Sequence, residues 1–588
     1  MYKRSASRQN FNIKADRLTI LSAAFFLLTA LIVVKLLKLQ VIDHSLYLDI
    51  AQQQHFATDE LMPERGGIFI HDYQSGQEKL YPVALNRKNY LVYAVPNEVD
   101  DAANYAKILA PVLEMEGEVL FDRLFKENDI YEPLKHHLDE EKRQEIEDLN
   151  LDGIRFEEEV VRYYPEENIG SHVLGFVGYD GDRLIGRYGV EGYWEEELAG
   201  QKGSFLFERD ASGRLIPIAQ RIKAEEKNGT DIILTLDRSI QFTACSALQT
   251  TVLRHGADNG SVIIINPATG AILAMCNYPD FDPNKYNEVE DISVYNNLAI
   301  FEAYEPGSIM KGITMAMALD TGKVTPATTY EDTGSVEISG YTIRNSDEQA
   351  HGIKTMTEVL EESLNTGAIF VARTVGQELF QQYYKNFGFG QLTNIQTETE
   401  NPGDIKSLGY PNEIFMATAS FGQGITVTPL QITAAFSAIA NKGKLMKPYI
   451  VDEIRYPDGK VEKIKPQFIR QVVTQQTAIT LSAMLASVVK YGHAQQAGVP
   501  GYYIAGKTGT AQVADPYTGG YSADKTIHSF VGFAPVDNPR YVMLIKLDHP
   551  RGVRFAASSV APLFGELSQF LLNYFHVPPS YKINDSDK

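Results

Sequence analysis

The sequence is poor in the residues that bind transition metals or staple small domains. Its 588 residues include two cysteines, Cys245 and Cys276, which could form one bridge at most. Cys-x-x-Cys spacing does not occur. The histidine pair His136-His137 lies in a charged stretch, which we interpret as a solvated helix rather than a tetrahedral metal site. The composition therefore predicts no metal and no cofactor.

Positive charge is also scarce. The sequence has 54 basic and 75 acidic residues, for a formal net charge of −21. This balance opposes a general affinity for phosphate backbones, so nucleic acid is not an expected partner. The chain is too long for one core, and a usual domain size predicts roughly three to four units.

One long apolar run lies near the N-terminus. Residues 18–39 would form a helix about 33 Å long, which is enough to cross a bilayer. The alternative is a cleaved signal peptide, but the run exceeds a usual signal core and no small-x-small cleavage site follows it. Five basic residues precede the run. We expect a single-pass anchor of the cytoplasmic membrane, with a cytoplasmic N-terminus and the remaining chain outside.

The residues after this anchor fall into two compositions. A mixture of short strand patterns and acidic helical patterns reaches about residue 225, without a cluster of reactive groups. Beyond it, strand patterns at both ends enclose helical patterns at Ser308–Asp320, Met356–Val375 and Pro429–Ile439. This order predicts an α+β domain whose sheet is assembled from distant segments. The predicted segments are a tail at 1–17, the anchor at 18–39, a spacer domain at 40–225, the α+β domain at 226–575 and a flexible tail at 576–588.

Ser308 and Lys311 are three residues apart at the start of a helical pattern, so their side chains can share one helix face. A serine hydroxyl becomes a good nucleophile when a nearby base accepts its proton. The spacing alone is weak evidence, because the chain has three Ser-x-x-Lys sequences. We interpret Ser487/Lys490 as part of an ordinary helix and Ser522/Lys525 as part of a polar loop.

Two further motifs follow Ser308 in the chain. Ser363-Leu-Asn365 is its only Ser-x-Asn, and Lys507-Thr-Gly509 is its only Lys-Thr-Gly. With Ser308 and Lys311, they resemble the active-site set of penicillin-binding proteins and serine β-lactamases. Further segments resemble class B penicillin-binding proteins, the monofunctional peptidoglycan transpeptidases: Arg65-Gly-Gly-Ile68, Arg162-Tyr-Tyr-Pro165, His172-Val-Leu-Gly175, Gly189-Val-Glu191, Leu234-Thr-Leu-Asp237, Ala303-Tyr-Glu-Pro-Gly307, Ser420-Phe-Gly-Gln-Gly424 and Thr428-Pro-Leu-Gln431.

This resemblance implies a transpeptidase domain with an antiparallel sheet flanked by helices, after an elongated, β-rich pedestal like the penicillin-binding protein dimerisation domain. It implies that Ser308 is the nucleophile and Lys311 its base, with Lys507 as electrostatic partner. Ser363 would relay a proton to the leaving amine, and Asn365 would hold the substrate peptide or Lys311. The identity of the base stays open, because the mechanism of these families is disputed.

The resemblance also assigns the binding of substrate to the Lys-Thr-Gly segment. Thr508, Gly509 and Thr510 would bind the substrate on an edge strand, with donors suited to a terminal carboxylate. The backbone N–H groups of Ser308 and Thr510 would form the oxyanion hole.

The implied reaction is D,D-transpeptidation of peptidoglycan stem peptides, or of their lipid-linked precursor, through an acyl-enzyme that β-lactam antibiotics would also form. Asn365 favours a septal or sporulation enzyme over an elongation enzyme. A membrane glycan polymerase and division proteins are the implied partners. The alternatives are an elongation-type enzyme, a membrane-anchored scaffold with dispensable catalysis, and a β-lactamase. The β-lactamase is disfavoured because no Glu-x-x-Leu-Asn element follows Ser363.

Overall fold

A computed structural model describes residues 17–45, 47, 56–74, 77–126, 129–181, 183–209, 215–514 and 520–582. The chain divides into two compact units. The first comprises Met1–Pro63 and Gln201–Lys227, and the second comprises Glu64–Gly200 and Asn228–Lys588.

The strands and α-helices are numbered in chain order. The strands are β1 Phe56–Leu61, β2 Ile68–Gln74, β3 Gln77–Ala94, β4 Glu132–Leu138, β5 Ile154–Tyr163, β6 Phe176–Asp180, β7 Arg183–Arg187, β8 Gly203–Arg209, β9 Leu215–Ala224, β10 Asp231–Asp237, β11 Asn259–Ile265, β12 Ile272–Tyr278, β13 Thr329–Asp332, β14 Ser335–Ile338, β15 Tyr341–Arg344, β16 Gly352–Thr355, β17 Lys444–Met446, β18 Val451–Arg455, β19 Val461–Lys463, β20 Phe468–Gln471, β21 Ala505–Ala514, β22 Tyr521–Ala534 and β23 Tyr541–Asp548. The helices are α1 Arg17–Leu37, α2 Ala102–Leu113, α3 Gly117–Leu124, α4 Glu140–Asp148, α5 Ser171–Leu174, α6 Gly189–Tyr193, α7 Glu195–Ala199, α8 Arg238–His255, α9 Leu298–Phe301, α10 Met310–Asp320, α11 Met356–Glu361, α12 Asn365–Val375, α13 Gln377–Asn386, α14 Glu413–Ala419, α15 Pro429–Ala440, α16 Gln475–Tyr491 and α17 Val560–Tyr574.

The first unit contains the apolar helix that the sequence predicts. Helix α1 continues as a π-helical turn at Lys38–Ile42, and an 18-residue stretch of the combined helix Arg17–Ile42 has a mean hydropathy of 2.5 with no residue buried. By length and composition it can cross a membrane. Strands β1, β8 and β9 form a three-stranded sheet in that order.

The second unit contains a seven-stranded sheet built from distant parts of the chain. Its strand order is β19-β18-β10-β2-β3-β4, with β5 pairing with β3. Strand β10 runs parallel to β2 and antiparallel to β18. The sheet thus extends across residue 225, where the sequence predicts a domain boundary, and that boundary stays a prediction.

The same unit contains the antiparallel sheet expected from the α+β pattern. Its order is β12-β11-β23-β22-β21, so strands from residues 259–278 join strands from residues 505–548. Helices α8 and α17 cover one face, where the rings of Phe564 and Phe530 pack at an angle of 48° with their centres 4.5 Å apart. Helices α10, α15 and α16 belong to the apolar core of the other face. The prediction of one sheet from distant segments is confirmed.

Two details concern the cysteines and histidines. Cys245 of α8 and Cys276 of β12 are joined by a disulfide, with their Cα atoms 5.3 Å apart. His136 and His137 lie in strand β4, so their interpretation as part of a helix is wrong, and the helix α4 begins only after Asp139 caps it. The described residues contain no group of three or more potential ligands that could hold a metal ion.

Candidate active site

Ser308 lies in a short 3₁₀ turn, Gly307–Ile309, that leads directly into helix α10. The turn is held by the N–H of Gly307, which donates to the carbonyl of Gly422 at 3.0 Å. All residues of helix α10 from Met310 to Ala318 are buried, so the helix gives the turn a rigid support. Within the described part of the chain, the Ser308 hydroxyl makes no hydrogen bond, and its side chain is partly exposed.

Lys311 lies one helical turn after Ser308, and its side chain is buried at 1% exposure. Its Nζ donates to the carbonyl of Ser363 at 2.5 Å and to Oδ1 of Asn365 at 2.7 Å. The Ser363 hydroxyl is 3.3 Å from the same nitrogen. The first two motifs of the sequence therefore meet at the amine of Lys311.

Ser363 has a left-handed backbone, with φ of 56°. This conformation separates α11 from α12, although the pattern over Met356–Val375 predicts one continuous helix. A non-glycine residue in this region costs of order 1 kcal/mol, and such residues persist where surrounding contacts require them. Here the break directs the carbonyl and the hydroxyl of Ser363 toward Lys311.

Lys507 brings the third motif to the same place. It lies on β21 with no exposed surface, and its Nζ donates to the Ser363 hydroxyl at 3.0 Å and to the Thr508 carbonyl at 3.2 Å. Two buried amines thus share one serine hydroxyl. No carboxylate among the described residues forms an ion pair with either of them, because their polar contacts are carbonyls, hydroxyls and an amide.

The surroundings of these lysines change their protonation. Burial lowers the pKa of Lys311 well below its ordinary value, and the nearby charge of Lys507 lowers it further. Burial lowers the pKa of Lys507 to about 7. A neutral amine at Lys311 is therefore accessible at neutral pH, which a solvent-exposed lysine would not provide.

The Lys-Thr-Gly segment lies on an edge strand of the five-stranded sheet. Strand β21 pairs with β22 on one side, and Gly509 lies in register with Ser529. A Cβ atom on Gly509 would lie 2.8 Å from the Pro306 carbonyl oxygen, so glycine is needed for the strand to approach the turn that carries Ser308. The Thr510 hydroxyl accepts a hydrogen bond from the N–H of Ala556 at 3.1 Å.

The other Ser-x-x-Lys sequences lie elsewhere. Ser487 belongs to helix α16 and donates to a carboxylate oxygen of Glu361, while Lys490 lies 5.0 Å from the ring centre of Tyr491. Ser522 accepts from the N–H of Lys525 at 3.2 Å. This pair lies in strand β22, so its interpretation as part of a loop is wrong.

Several residues near the site have partners that the sequence does not reveal. Asn345 and Asp332 are buried and hydrogen-bonded to the start of α12, where Asn365 lies. Glu305 accepts from the N–H of Gly424 at 3.0 Å and from the hydroxyl of Tyr521, also at 3.0 Å. Sequence reasoning missed these contacts, since a lone polar residue in a loop gives no signal of its partner.

The pedestal-like signatures also converge. Glu191 is completely buried and pairs with Arg65 at 2.6 Å and Arg162 at 2.7 Å. Burial would raise the pKa of Glu191, but the two guanidinium groups outweigh it and lower that pKa. Nε2 of His172 lies 2.8 Å from the Val294 carbonyl, and the Glu398 carboxylate accepts from the N–H of Tyr188 at 2.9 Å. The contacts of His172 and Tyr188 join the first half of this unit to its second half.

Comparison with known proteins supports the resemblance to penicillin-binding proteins. Residues 260–569 match the family described as the penicillin binding protein transpeptidase domain, and residues 62–234 match the penicillin-binding protein dimerisation domain. Stage V sporulation protein D of Bacillus subtilis is 36% identical over 88% of this chain and 79% of its own length. The probable peptidoglycan D,D-transpeptidase PenA of Neisseria meningitidis is 30% identical over 85% of this chain and 83% of its own.

Solved structures agree with the sequence comparison. Penicillin-binding protein 3 of Mycobacterium tuberculosis, complexed with aztreonam, has a TM-score of 0.68 and 27% identity to this chain. The match covers 89% of this chain and 99% of that one. With a dimerisation domain followed by a transpeptidase domain, the chain belongs to the class B penicillin-binding proteins.

Proposed function

We propose that Ser308 is the nucleophile of a serine-type peptidoglycan D,D-transpeptidase. Its hydroxyl attacks the carbonyl of the penultimate D-Ala of a stem peptide, the terminal D-Ala leaves, and an amine from a second stem resolves the acyl-enzyme. Family membership supports the reaction class. The single observation that carries the residue assignment is the meeting of Lys311 and Lys507 at Ser363, with Ser308 one helical turn from Lys311.

Lys311 is the proposed base for Ser308. Burial and the charge of Lys507 lower its pKa, so the amine can accept the proton that Ser308 releases on attack. The oxygens of the Asn365 amide and the Ser363 carbonyl accept hydrogen bonds from Nζ and so orient it, but neither carries a negative charge that would stabilise the ammonium form. Proton transfer of this kind contributes about 10² to 10⁴-fold to a rate.

Ser363 and Lys507 are the proposed path to the leaving amine. The Ser363 hydroxyl lies between Lys311 Nζ at 3.3 Å and Lys507 Nζ at 3.0 Å, so a proton can pass from one side to the other. Asn365 holds Lys311 and presents its amide to the peptide of the substrate. Lys507, Thr508 and Thr510 would supply the donors for the terminal carboxylate of the stem.

Strand β21 is the proposed docking edge for the stem peptide. An extended peptide can pair with an exposed sheet edge, and among the described strands β21 is paired on one side alone, with β22. The N–H groups of Ser308 and Thr510 would bind the oxyanion of the tetrahedral intermediate. Loss of one such donor typically costs about 10² to 10³-fold in rate.

The test is covalent labelling of the full-length protein with fluorescent penicillin, followed by peptide mapping. Wild type should carry one adduct at Ser308, and Ser308→Ala should carry none. Ser487→Ala is the matched control, since it alters the same motif on a different helix, and it should label like wild type. A folded wild type that forms no adduct at Ser308 would overturn the proposal.

Two alternatives predict other results. A β-lactamase would release hydrolysed penicillin rapidly, whereas a transpeptidase should keep the label for many minutes. A scaffold with dispensable catalysis would permit Ser308→Ala to complement a depletion strain, whereas a required transpeptidase would not. The first measurement uses the wild-type protein, and the second uses Ser308→Ala.

The proposed location is the outer side of the cytoplasmic membrane, with α1 as a single-pass anchor and the N-terminus inside. The proposed partners are a membrane glycan polymerase and proteins of the division machinery, because peptide cross-linking requires new glycan strands. We propose a role in synthesis of the septum. The 36% sequence identity to a stage V sporulation protein supports a septal role during sporulation. Depletion should give filaments for a septal enzyme, spheres for an elongation enzyme, or defective spores alone for a sporulation enzyme.

A further inference from the structure

Helix α12, which begins at Asn365, has no cap from its own sequence. The residue at its N-cap position, Leu364, offers no side-chain acceptor. Instead Oδ1 of Asn345, from twenty residues earlier, accepts from the N–H of Asn365 at 2.9 Å and from that of Thr366 at 3.2 Å. Asn345 thus satisfies two of the donors that a helix start leaves free.

The neighbouring residue fixes the side chain of Asn365. The carbonyl of Arg344 accepts from Nδ2 of Asn365 at 2.9 Å. This contact distinguishes the two ends of the amide, so Oδ1 faces Lys311 Nζ at 2.7 Å. The dipeptide Arg344-Asn345 therefore holds both the backbone and the side chain of the residue that directs Lys311.

Asn345 is itself held by a buried carboxylate. Its Nδ2 donates to Oδ2 of Asp332 at 2.8 Å, and the hydroxyl of Thr366 donates to Oδ1 of Asp332 at 2.6 Å. The N–H groups of Gly334 and His351 donate to the same carboxylate at 3.1 and 3.0 Å. Burial alone would raise the pKa of Asp332, but these donors outweigh it and lower that pKa.

This carboxylate has no cation within ion-pair distance among the residues that the structure describes. A buried charge that is satisfied by four directional donors fixes their relative positions, because each lost donor leaves that charge less compensated. Asp332 and Asn345 together connect β13, the end of β15 and the start of α12. The connection ends at the amide that contacts Lys311.

We propose that Asn345 and Asp332 are positioning residues for acylation, which act through Asn365 on the amine of Lys311. The inference rests on the proposed function, since it assumes that Lys311 serves Ser308. Neither residue touches the acylated serine. Their effect is on the fraction of molecules in which Lys311 and Asn365 have the reactive geometry, and a displacement near 1 Å in such a group can cost about 10²-fold in rate.

The experiment measures the second-order rate of acylation by fluorescent penicillin for the full-length protein. Asn345→Ala should lower this rate by about 10 to 100-fold at a temperature where the variant is folded. Asn412→Ala is the matched control, because Asn412 also caps a helix of this domain by accepting from the N–H of Ile414. It should change the melting temperature while leaving the acylation rate within about twofold.

Asn345→Asp provides a second test that does not depend on a deleted side chain. The aspartate can still accept from the start of α12, but at neutral pH it places a second carboxylate against Asp332. Protonation of that pair restores a donor. The ratio of the variant rate to the wild-type rate should therefore rise as pH falls from 7 to 5, and Asn412→Ala should show a constant ratio.

The outcomes separate this inference from the proposed function. If wild type forms no adduct at Ser308, the proposed function fails whatever the Asn345 variants do. If wild type is acylated normally and folded Asn345→Ala matches it in rate, with a constant Asn345→Asp ratio, Asn345 is only a structural cap and the inference is overturned. Should Asn345→Ala not fold, the pH dependence of the Asn345→Asp ratio decides alone.

Discussion

Lys507 and Lys546 lie on the same face of the five-stranded sheet, and both are completely buried, yet their surroundings are opposite. Lys507 contacts the Ser363 hydroxyl and the Thr508 carbonyl. Lys546 contacts the carboxylates of Asp548 and, at 2.8 Å, Glu302.

The difference appears in the protonation of the two amines. Burial lowers the pKa of Lys507 to about 7. Burial also acts against the charge of Lys546, but Asp548 and Glu302 outweigh it and raise its pKa. A buried lysine therefore remains a fixed cation where carboxylates accompany it, and becomes titratable where they are withheld. The proposed reaction needs the second kind.

Lys546, which pairs with two carboxylates, lies close to the turn that carries Ser308 but is not part of it. Glu302 precedes the segment that leads to Ser308, and the Lys546 ammonium lies 5.1 Å from the ring centre of Tyr304. The N–H and carbonyl of Tyr304 pair with Val427 at 3.0 Å in each direction. Lys546 thus stabilises the approach to the active site, and its replacement should affect folding rather than chemistry.

The largest expected effect is that of Lys311→Met on acylation. Methionine has a similar volume but no amine, so the rate of labelling by fluorescent penicillin should fall by up to about 10⁴-fold. Stability should not decrease, because an uncompensated buried amine is removed. Rapid-mixing labelling and thermal unfolding of the same sample check both parts. Retention of a near wild-type rate would remove Lys311 from the role of base.

Lys546→Met should give the reverse pattern. Glu302 and Asp548 would lose their cation, and breaking such a buried pair costs about 3 to 4 kcal/mol of unfolding free energy. The acylation rate of the folded fraction should stay within about threefold of wild type. Lys490→Met, at the exposed end of α16, is the matched control and should change neither quantity.

The pH dependence of the Lys546 effect has a definite sign. Since the folded-state pKa of Lys546 is raised, its contribution is complete below the unfolded value of about 10.4 and is lost as pH rises through the folded value. At acid pH the unfolding free energy of Lys546→Met should return toward that of wild type, because Asp548 takes up a proton. Burial already raises the pKa of Asp548 to about 6. Urea unfolding should show that the difference in unfolding free energy between wild type and Lys546→Met is largest in the range from pH 7 to pH 10. A loss independent of pH would indicate packing rather than charge.

Much of the site could be predicted because its chemistry requires rare combinations of residues in a fixed order. Ser308, Lys311, Ser363, Asn365 and Lys507 are recognisable as a set, and the predicted family and α+β fold are confirmed. The strand patterns at both ends of the domain also predict the assembled sheet, since each strand is long and apolar. The roles of the individual residues stay predictions until they are tested.

The supporting contacts could not be predicted, and the reason is physical. Asn345 and Asp332 lie in a polar stretch that gives no periodic signal, so their partners are set by how distant strands fold together. The break at Ser363 interrupts a pattern that favours one helix, because contacts with Lys311 and Lys507 override local propensity there. Lys546 occurs within an apolar strand, where its sequence neighbours do not reveal Glu302.

The smallest expected effect is a gain of stability in Lys507→Met, and it tests the comparison most directly. The folded-state pKa of Lys507 is about 7 and the unfolded value is about 10.4, so charging it in the folded state destabilises the protein. The loss of unfolding free energy caused by the charge of Lys507 is complete below pH 7, shrinks as pH rises from 7 to about 10.4, and vanishes above that range. Lys507→Met should therefore raise the unfolding free energy by about 2 kcal/mol at pH 6, after allowance for the lost hydrogen bonds, and by little at pH 10. Lys507→Arg, which cannot lose its charge, should be destabilised at both values. If Lys507→Met is instead less stable than wild type at pH 6, the surroundings of Lys507 stabilise its charged form, as those of Lys546 do. The contrast between the two buried amines would then not hold.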